Sequence, residues 1–149
     1  MGFSISWIGV KGRAKDAVLA DLNLVDTGQT DPGMKARQFC TELPNGWLII
    51  FSSQFDYASP RRLADLSTGG LVLGCAVEEH VMFSEVRAYE DGRELWSVVH
   101  DSEEGGVDHL ATSGEVPAEL EAIRERLKRE QEDEGGAEAG VDHLFDAPV

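Results

Sequence analysis

Cysteine is scarce in this sequence: only Cys40 and Cys75 occur among 149 residues. Each stands beside apolar residues, and neither has a second cysteine three positions away. Isolated cysteines of this kind are typical of small reduced side chains in a core, because a disulfide framework or a redox pair needs suitably placed partners. We therefore expect neither a disulfide nor a thiol-based active site.

Long hydrophobic runs are also missing. No segment approaches the ~18 consecutive apolar residues that a membrane-spanning helix needs. Residues 1–12 lack the basic stretch followed by an apolar stretch that marks a secretory signal. These two absences predict a cytoplasmic protein that does not contact a membrane.

The short motifs that announce common chemistries are absent as well. The four histidines are dispersed and form neither HExxH nor HxH, so we expect no bound metal. No GxSxG elbow marks a nucleophile, and no GxGxxG or P-loop precedes a helix to hold a phosphate. The sequence thus predicts no cofactor, and favours a non-enzymatic protein over an enzyme.

Basic residues are outnumbered, and the imbalance is uneven along the chain. The formal net charge is −15. Residues 101–149 carry 15 acidic against 4 basic side chains, a net of −11, whereas residues 1–100 carry 13 against 9, a net of −4. Such a surface repels the phosphates of nucleic acids and attracts basic proteins. We therefore expect no nucleic-acid binding and a basic protein partner.

What the sequence does contain is a series of short β-type segments separated by turn residues. Several alternate apolar and polar residues, and 47–53 and 71–77 are almost continuously apolar, as expected of buried strands. Pro44-Asn45-Gly46 and Asp91-Gly92 are strong hairpin turns. The predicted strands are 3–10, 39–43, 47–53, 71–77, 81–89 and 93–99.

Three segments have helical character. Residues 14–24 carry a narrow apolar stripe, and residues 59–70 combine the cap Ser59, Pro60 in the first turn and a terminal Gly69-Gly70. The third is an acidic helix over about 117–134. Together these elements predict a single α+β domain spanning 1–149: a mainly antiparallel sheet of about five or six strands, with two or three helices packed on one side.

Two further segments complete the predicted organisation. Residues of about 26–37 contain glycine, proline and turn-forming side chains, and should form a mobile loop. Residues of about 141–146 follow a glycine and are partly apolar, so we expect a short C-terminal strand there, ending near Pro148.

The hairpin around Asp91-Gly92 supplies the first candidate site. Ideal pairing from a two-residue turn places Ala88 opposite Leu95 and Val86 opposite Ser97. One side of the hairpin then faces the core. The other carries aromatic, Arg and His side chains, several of them types enriched at protein interfaces, and these are the candidate binding residues Phe83, Arg87, Tyr89, Trp96 and His100.

A second candidate site lies just before this hairpin, where Glu79 and His80 stand side by side. A carboxylate beside an imidazole can serve acid–base chemistry or ligand binding if both line a pocket. The alternative to an interaction protein is therefore a small enzyme or ligand-binding module with its pocket near these two residues.

The segments GFSISWIGVKG, ELPNGW and EEHVMFSEV are similar to small bacterial proteins that have no assigned function. This likeness implies a bacterial, cytoplasmic protein of one domain, and it carries over no activity and no site residue. The residues themselves favour an acidic interaction protein, comparable to an immunity protein that neutralises a basic toxin.

Overall fold

The computed structural model describes residues 2–33, 35–135 and 142–148. Seven strands form a single sheet: β1 Ser4–Lys11, β2 Gln38–Glu42, β3 Trp47–Ser52, β4 Leu71–Glu78, β5 Phe83–Glu90, β6 Arg93–Asp101 and β7 Ala111–Gly114. The four α-helices are α1 Lys15–Asp21, α2 Pro60–Leu66, α3 Ser102–Gly105 and α4 Glu119–Asp133. Short 3₁₀ turns occupy Phe55–Ala58, Glu79–Val81, Gly106–Asp108 and His143–Asp146.

The strands are arranged in the order β2-β3-β1-β4-β5-β6-β7, and every neighbouring pair is antiparallel. The expected α+β class is confirmed, with one strand more than the upper expected number. Strand β1 lies between β3 and β4, and β4 to β7 follow one another as a meander. Sequence neighbours therefore pair everywhere except around β1.

One face of the sheet, the helix face, is covered by α2 and the 3₁₀ turn Phe55–Ala58. Leu63 of α2 lies so close to Gly74 of β4 that a β-carbon there would meet its methyl groups. The buried Ser6 hydroxyl holds the 3₁₀ turn by donating to the carbonyl of Gln54 at 2.7 Å. The core cluster of this face consists of Ile8, Val10, Val18, Leu48, Ile50, Tyr57, Ala58, Leu63, Leu66, Val72 and Tyr89.

The other face, the C-terminal face, is contacted by the 3₁₀ turn His143–Asp146, which packs on β5 and β6 and against α4. Side chains alternate between the two faces along a strand. Arg87 pairs with Gly74 and therefore lies on the helix face. Ser84, three residues earlier, lies on the opposite face and donates a hydrogen bond to the C-terminal turn. Helical segments therefore contact both sides of the sheet.

The hairpin turn was predicted well but its register was not. Asp91 and Gly92 both have positive φ, as a two-residue turn of this kind requires. A β-bulge then inserts Leu95, so Ala88 pairs with Trp96 rather than with Leu95. Because a one-residue slip moves every later side chain to the other face, the predicted grouping of the hairpin's side chains is wrong.

The C-terminal segment also differs from expectation. Residues 142–146 of the predicted strand 141–146 form a 3₁₀ turn capped by the Asp142 carboxylate, which accepts from the amide of Phe145; residue 141 lies outside the described residues. The acidic helix lies at Glu119–Asp133, inside the predicted 117–134. The segment 26–37 contains no helix or strand among its described residues, and its mobility stays a prediction.

Candidate interaction surface

The structure divides the candidate binding residues of the hairpin between the two faces of the sheet. Phe83, Arg87 and Tyr89 lie on the helix face, whereas Trp96 and His100 lie on the C-terminal face. Since a continuous binding patch needs its anchors on one side, these five residues do not form one surface. The bulge at Leu95 is the reason.

Arg87 is occupied by carboxylates of its own hairpin and does not stack on Trp96. Its guanidinium donates to Glu85 at 3.0 Å and to Glu94 at 3.2 Å. Partial burial lowers the pKa of Arg87, because it disfavours the charged guanidinium. The attraction of the Glu85 and Glu94 carboxylates together outweighs this effect, and the pKa is raised. Tyr89 donates to the same Glu94 at 3.1 Å, and burial together with this contact raises its pKa. The group is a satisfied structural network.

His100 is fully buried and has no free ring nitrogen. Its Nδ1 lies 2.6 Å from the carbonyl oxygen of His109, and its Nε2 lies 2.7 Å from the carboxylate of Asp142. Both ring nitrogens are thus engaged with oxygen atoms, and the imidazole joins the end of β6 to two separate segments of the chain. A general base needs an accessible lone pair, so this histidine is a structural clamp on the C-terminal segment.

Glu79 and His80 do not form a pocket. Glu79 accepts a hydrogen bond from the amide of Phe3 at 2.8 Å, and the His80 ring, which is largely exposed, contacts Glu78 at 2.6 Å. Contact with His80 also contributes to lowering the pKa of Glu78, after the larger effect of Ser4. These contacts fasten the start of β1 to the end of β4, which accounts for both residues structurally.

Metal and thiol chemistry find no support in the part of the chain that the structure describes. No group of three or more His, Cys, Asp or Glu side chains there could hold a metal ion. Burial raises the pKa of the Cys75 thiol to about 12, so it stays protonated and unreactive at neutral pH. Cys40 is half-buried and free, and Cys75 is free as well.

An aromatic row that sequence reasoning missed crosses three strands of the C-terminal face. Phe39 of β2 pairs with Phe51 of β3, and Phe51 pairs with Trp7 of β1. The two phenylalanine rings stack with their centroids 4.7 Å apart. Next to the row lie Ile49 and Trp47, so that the five side chains form a contiguous surface that we call the aromatic patch.

Trp47 is held in place within this patch. Its ring lies over Gly9, where an added β-carbon would be 3.3 Å from a ring carbon, and the ammonium of Lys11 lies 5.8 Å from the ring centroid. Gly9 thus leaves room for an indole that would otherwise be displaced. The patch is consequently ordered by its own strand pairing and needs no covering helix to define it.

Burial changes along this face. On β4, β5 and β6 the face contains fully or almost fully buried side chains, namely Cys75, Val77, Ala88, Val98 and His100. The five residues of the aromatic patch are only half-buried. The cover provided from the C-terminal side therefore does not extend over β2 and β3, and leaves large apolar side chains in partial contact with solvent.

Negative charge is concentrated beside this face. Helix α4 packs against the C-terminal 3₁₀ turn, and the part of α4 turned to solvent carries the exposed acidic side chains Glu119, Glu121, Glu125, Glu130, Glu132 and Asp133. Four basic residues partly offset them within the helix. Over residues 101–135 as a whole, 12 acidic side chains face 4 basic ones, so the helix and the segments before it create a negative field.

The sequence shows the separate apolar stripes of the patch, but it does not show the strand pairing that brings them together. Trp7 shares its strand side with Phe3 and Ile5, and Phe51 stands two positions from Ile49, so each stripe is visible separately. The pairing of β1 with β3, two strands later in the chain, cannot be seen within either segment. The stripes join only through that pairing.

Two further findings bear on what the protein is. No helix among the described residues is long and apolar enough to cross a membrane. The chain matches no family model, no curated protein and no solved structure, and the geometry of its own residues has to carry the functional argument.

Proposed function

We propose that the protein is a non-enzymatic, cytoplasmic interaction protein that binds a basic protein partner, as an immunity protein binds a toxin. The aromatic patch is the observation that carries this proposal. Trp and other aromatic residues are enriched at interface centres, and monomeric proteins seldom expose large contiguous apolar surfaces without a use for them. The patch replaces the hairpin surface expected from sequence.

The charge distribution supports the choice of a basic partner. Helix α4 lies on the same side of the sheet as the patch, so an approaching protein would meet an apolar centre and a negative flank together. Charge at the rim of an interface mainly accelerates association, whereas buried aromatic anchors mainly slow dissociation. A basic protein with an apolar protrusion satisfies both features.

The proposal is tested by comparing captures rather than by a single capture. The protein and its Phe51→Ser and Trp47→Ser variants are immobilised, and proteins retained from lysate of the native host are quantified by mass spectrometry. We expect a basic protein enriched by the parent and lost from both variants. Leu95→Ser and Phe3→Ser, which remove exposed apolar side chains elsewhere, are the matched controls and should retain it.

The captured protein is then purified and its dissociation constant measured against each variant. Loss of an anchor should weaken binding by about 2 kcal/mol or more, a factor of about 30. Equal binding by the parent and both patch variants would refute the proposed surface, and a strongly acidic partner would refute the proposed chemistry.

A cavity in the structure, and not the Glu79–His80 pair expected from the sequence, favours the alternative role of a ligand-binding module. Glu79 and His80 are engaged elsewhere, but a cavity of about 620 Å³ lies between α1, β2 and the segment that joins them. A ligand site and a protein-binding surface do not exclude each other, since Phe39 is the one residue of the patch among those that line the cavity.

A further inference from the structure

The cavity has an apolar inner wall. Leu19 of α1 and Ile50 of β3 belong to the buried side chains, while Leu24 and Cys40 are half-buried and, with Leu19, surround the space from three elements. Cys40 projects from β2 on the helix face, because it pairs with Ile50. The helix and the two strands therefore supply the inner wall, together with Leu24, and the segment that joins α1 to β2 supplies the rest of the lining.

The outer wall is polar and is fixed by internal contacts. Asp26 forms an ion pair of 2.7 Å with Lys15, and the carboxylate of Asp31 accepts from the amide of Ala36 at 2.7 Å. The contact with Asp26 raises the pKa of Lys15, and the same contact lowers that of Asp26. Both carboxylates are thus already engaged. The Thr27 hydroxyl accepts from the amide of Gln29 and can still donate its proton to a ligand, and the Gln38 amide nitrogen donates to Ser52 and Gln54, so that its carbonyl oxygen can still accept.

We propose that this cavity binds a small uncharged molecule that has an apolar body and one hydrogen-bonding end. Its volume is within the range of roughly 300 to 1,000 Å³ that is usual for small-molecule sites, and such sites combine an apolar lining with a few polar groups. The body would lie against Leu19, Leu24 and Ile50, and the polar end would meet Thr27 or Gln38. An anionic ligand is disfavoured, because the lining carries two carboxylates, Asp26 and Asp31, against the one ammonium of Lys35.

The two cysteines provide an internal reporter. Cys40 lines the cavity, whereas Cys75 is buried on the other face of the sheet and stays protonated. A neutral thiol reagent such as N-ethylmaleimide should therefore modify Cys40 in the native protein and spare Cys75. A molecule seated in the cavity should slow that modification.

The experiment uses Nile red, an uncharged apolar dye with a carbonyl acceptor, as the probe. Dye fluorescence is titrated with the protein, and the rate of Cys40 modification is followed by mass spectrometry with and without dye. We expect saturable binding at one site. At a free dye concentration ten times the dissociation constant, the rate should fall about tenfold, because only about a tenth of the molecules remain unoccupied.

Variants locate the bound dye. Leu24→Trp should fill the space and abolish both signals, and Thr27→Trp, at an exposed position, does the same with less risk to folding. Leu43→Trp adds the same side chain at an exposed site beyond the end of β2 and should bind as the parent does. Dye binding that survives in both filled variants, or that leaves the Cys40 rate unchanged, would overturn the proposal.

The test is independent of the proposed protein partner. Trp47→Ser removes a central residue of the aromatic patch but none that lines the cavity. It should keep dye binding and the protection of Cys40 while losing the partner. If dye binding is lost in Trp47→Ser and kept in Leu24→Trp and Thr27→Trp, the dye lies on the patch, the cavity proposal is wrong, and the protein-binding proposal stands untouched.

Discussion

The two ends of the C-terminal face are built by different means. Over β5 and β6, a segment distant in sequence is held by directional polar contacts, from Ser84 to the carbonyl of Phe145 and from His100 to Asp142. Over β2, β3 and β1 the face consists of aromatic side chains arranged by strand pairing alone. Buried polar bonds specify one partner in one position, whereas an apolar surface accepts any complementary shape. The first end suits a permanent cover, and the second suits a separate protein.

The largest difference between the two ends should appear in stability. His100→Ala removes a buried ring and leaves both the Asp142 carboxylate and the His109 carbonyl without this contact; at about 1 to 3 kcal/mol for each unsatisfied group, we expect a loss of about 3 to 5 kcal/mol. Urea denaturation of the variant and its parent measures the loss. His143→Ala, which removes the ring contacts with the half-exposed Glu134 and Glu130, is the control and should cost about 1 kcal/mol or less. A similar, small loss of unfolding free energy in both variants would show that the His100 contacts are not the principal attachment of the C-terminal segment to the sheet.

The aromatic end should tolerate truncation better. Phe51 is half-buried and stacks on Phe39. Phe51→Ser should therefore lower the free energy of unfolding by about 2 to 3 kcal/mol, less than the ~3 to 5 kcal/mol that truncation of a fully buried phenylalanine costs. Denaturation in the absence of any partner is the measurement. A loss of about 4 kcal/mol would mean that the ring is a core residue and that the patch is not available for binding.

The prediction from sequence succeeded where structure is local. The Asp91-Gly92 turn needs two residues that adopt positive φ, and the Ser59-Pro60 start of α2 needs a hydroxyl cap and a fixed φ; both demands are legible in a few residues. The bulge was not predicted, because no residue from Arg93 to Trp96 indicates one. It arises from pairing that places Trp96, Val98 and His100 beneath the C-terminal segment.

The site was less predictable than the fold for a related reason. The position of β1 between β3 and β4 joins residues 36 or more positions apart, and periodicity within one segment cannot show which strands will be neighbours. The burial of His100 likewise depends on Asp142, 42 residues further along the chain. Residues that look like candidates for chemistry were therefore used for attachment, and ordinary apolar stripes became the surface.

Cys75 tests where the buried part of the C-terminal face begins, because it lies on β4 directly opposite Trp7 of the aromatic patch. Burial raises its pKa from 9.0 to about 12. Above pH 9 the unfolded chain releases a proton that the folded protein retains, so the free energy of unfolding should fall as pH rises, by about 1.4 kcal/mol at pH 10. Cys75→Ala should lose this part of the pH dependence and Cys40→Ala should keep it. Identical pH profiles for the parent and Cys75→Ala would place the thiol in solvent and the edge of the cover beyond β4.

The smallest expected effect concerns the exposed charges of α4, the helix that packs on the C-terminal turn over β5 and β6, and it requires the partner captured above. Glu125→Lys with Glu132→Lys reverses two exposed charges of α4, and should slow association several-fold at low salt while leaving dissociation nearly unchanged. Near 0.5 M salt the difference should largely vanish, because the screening length is then only about 4 Å. Asp65→Lys with Asp56→Lys makes the same change in net charge on the helix face, behind the sheet. If the partner docks on the patch, the Asp65→Lys and Asp56→Lys control should slow association much less. Equal slowing by both pairs of substitutions would mean that net charge alone steers the encounter. The charges of α4 would then have no special role beside the patch.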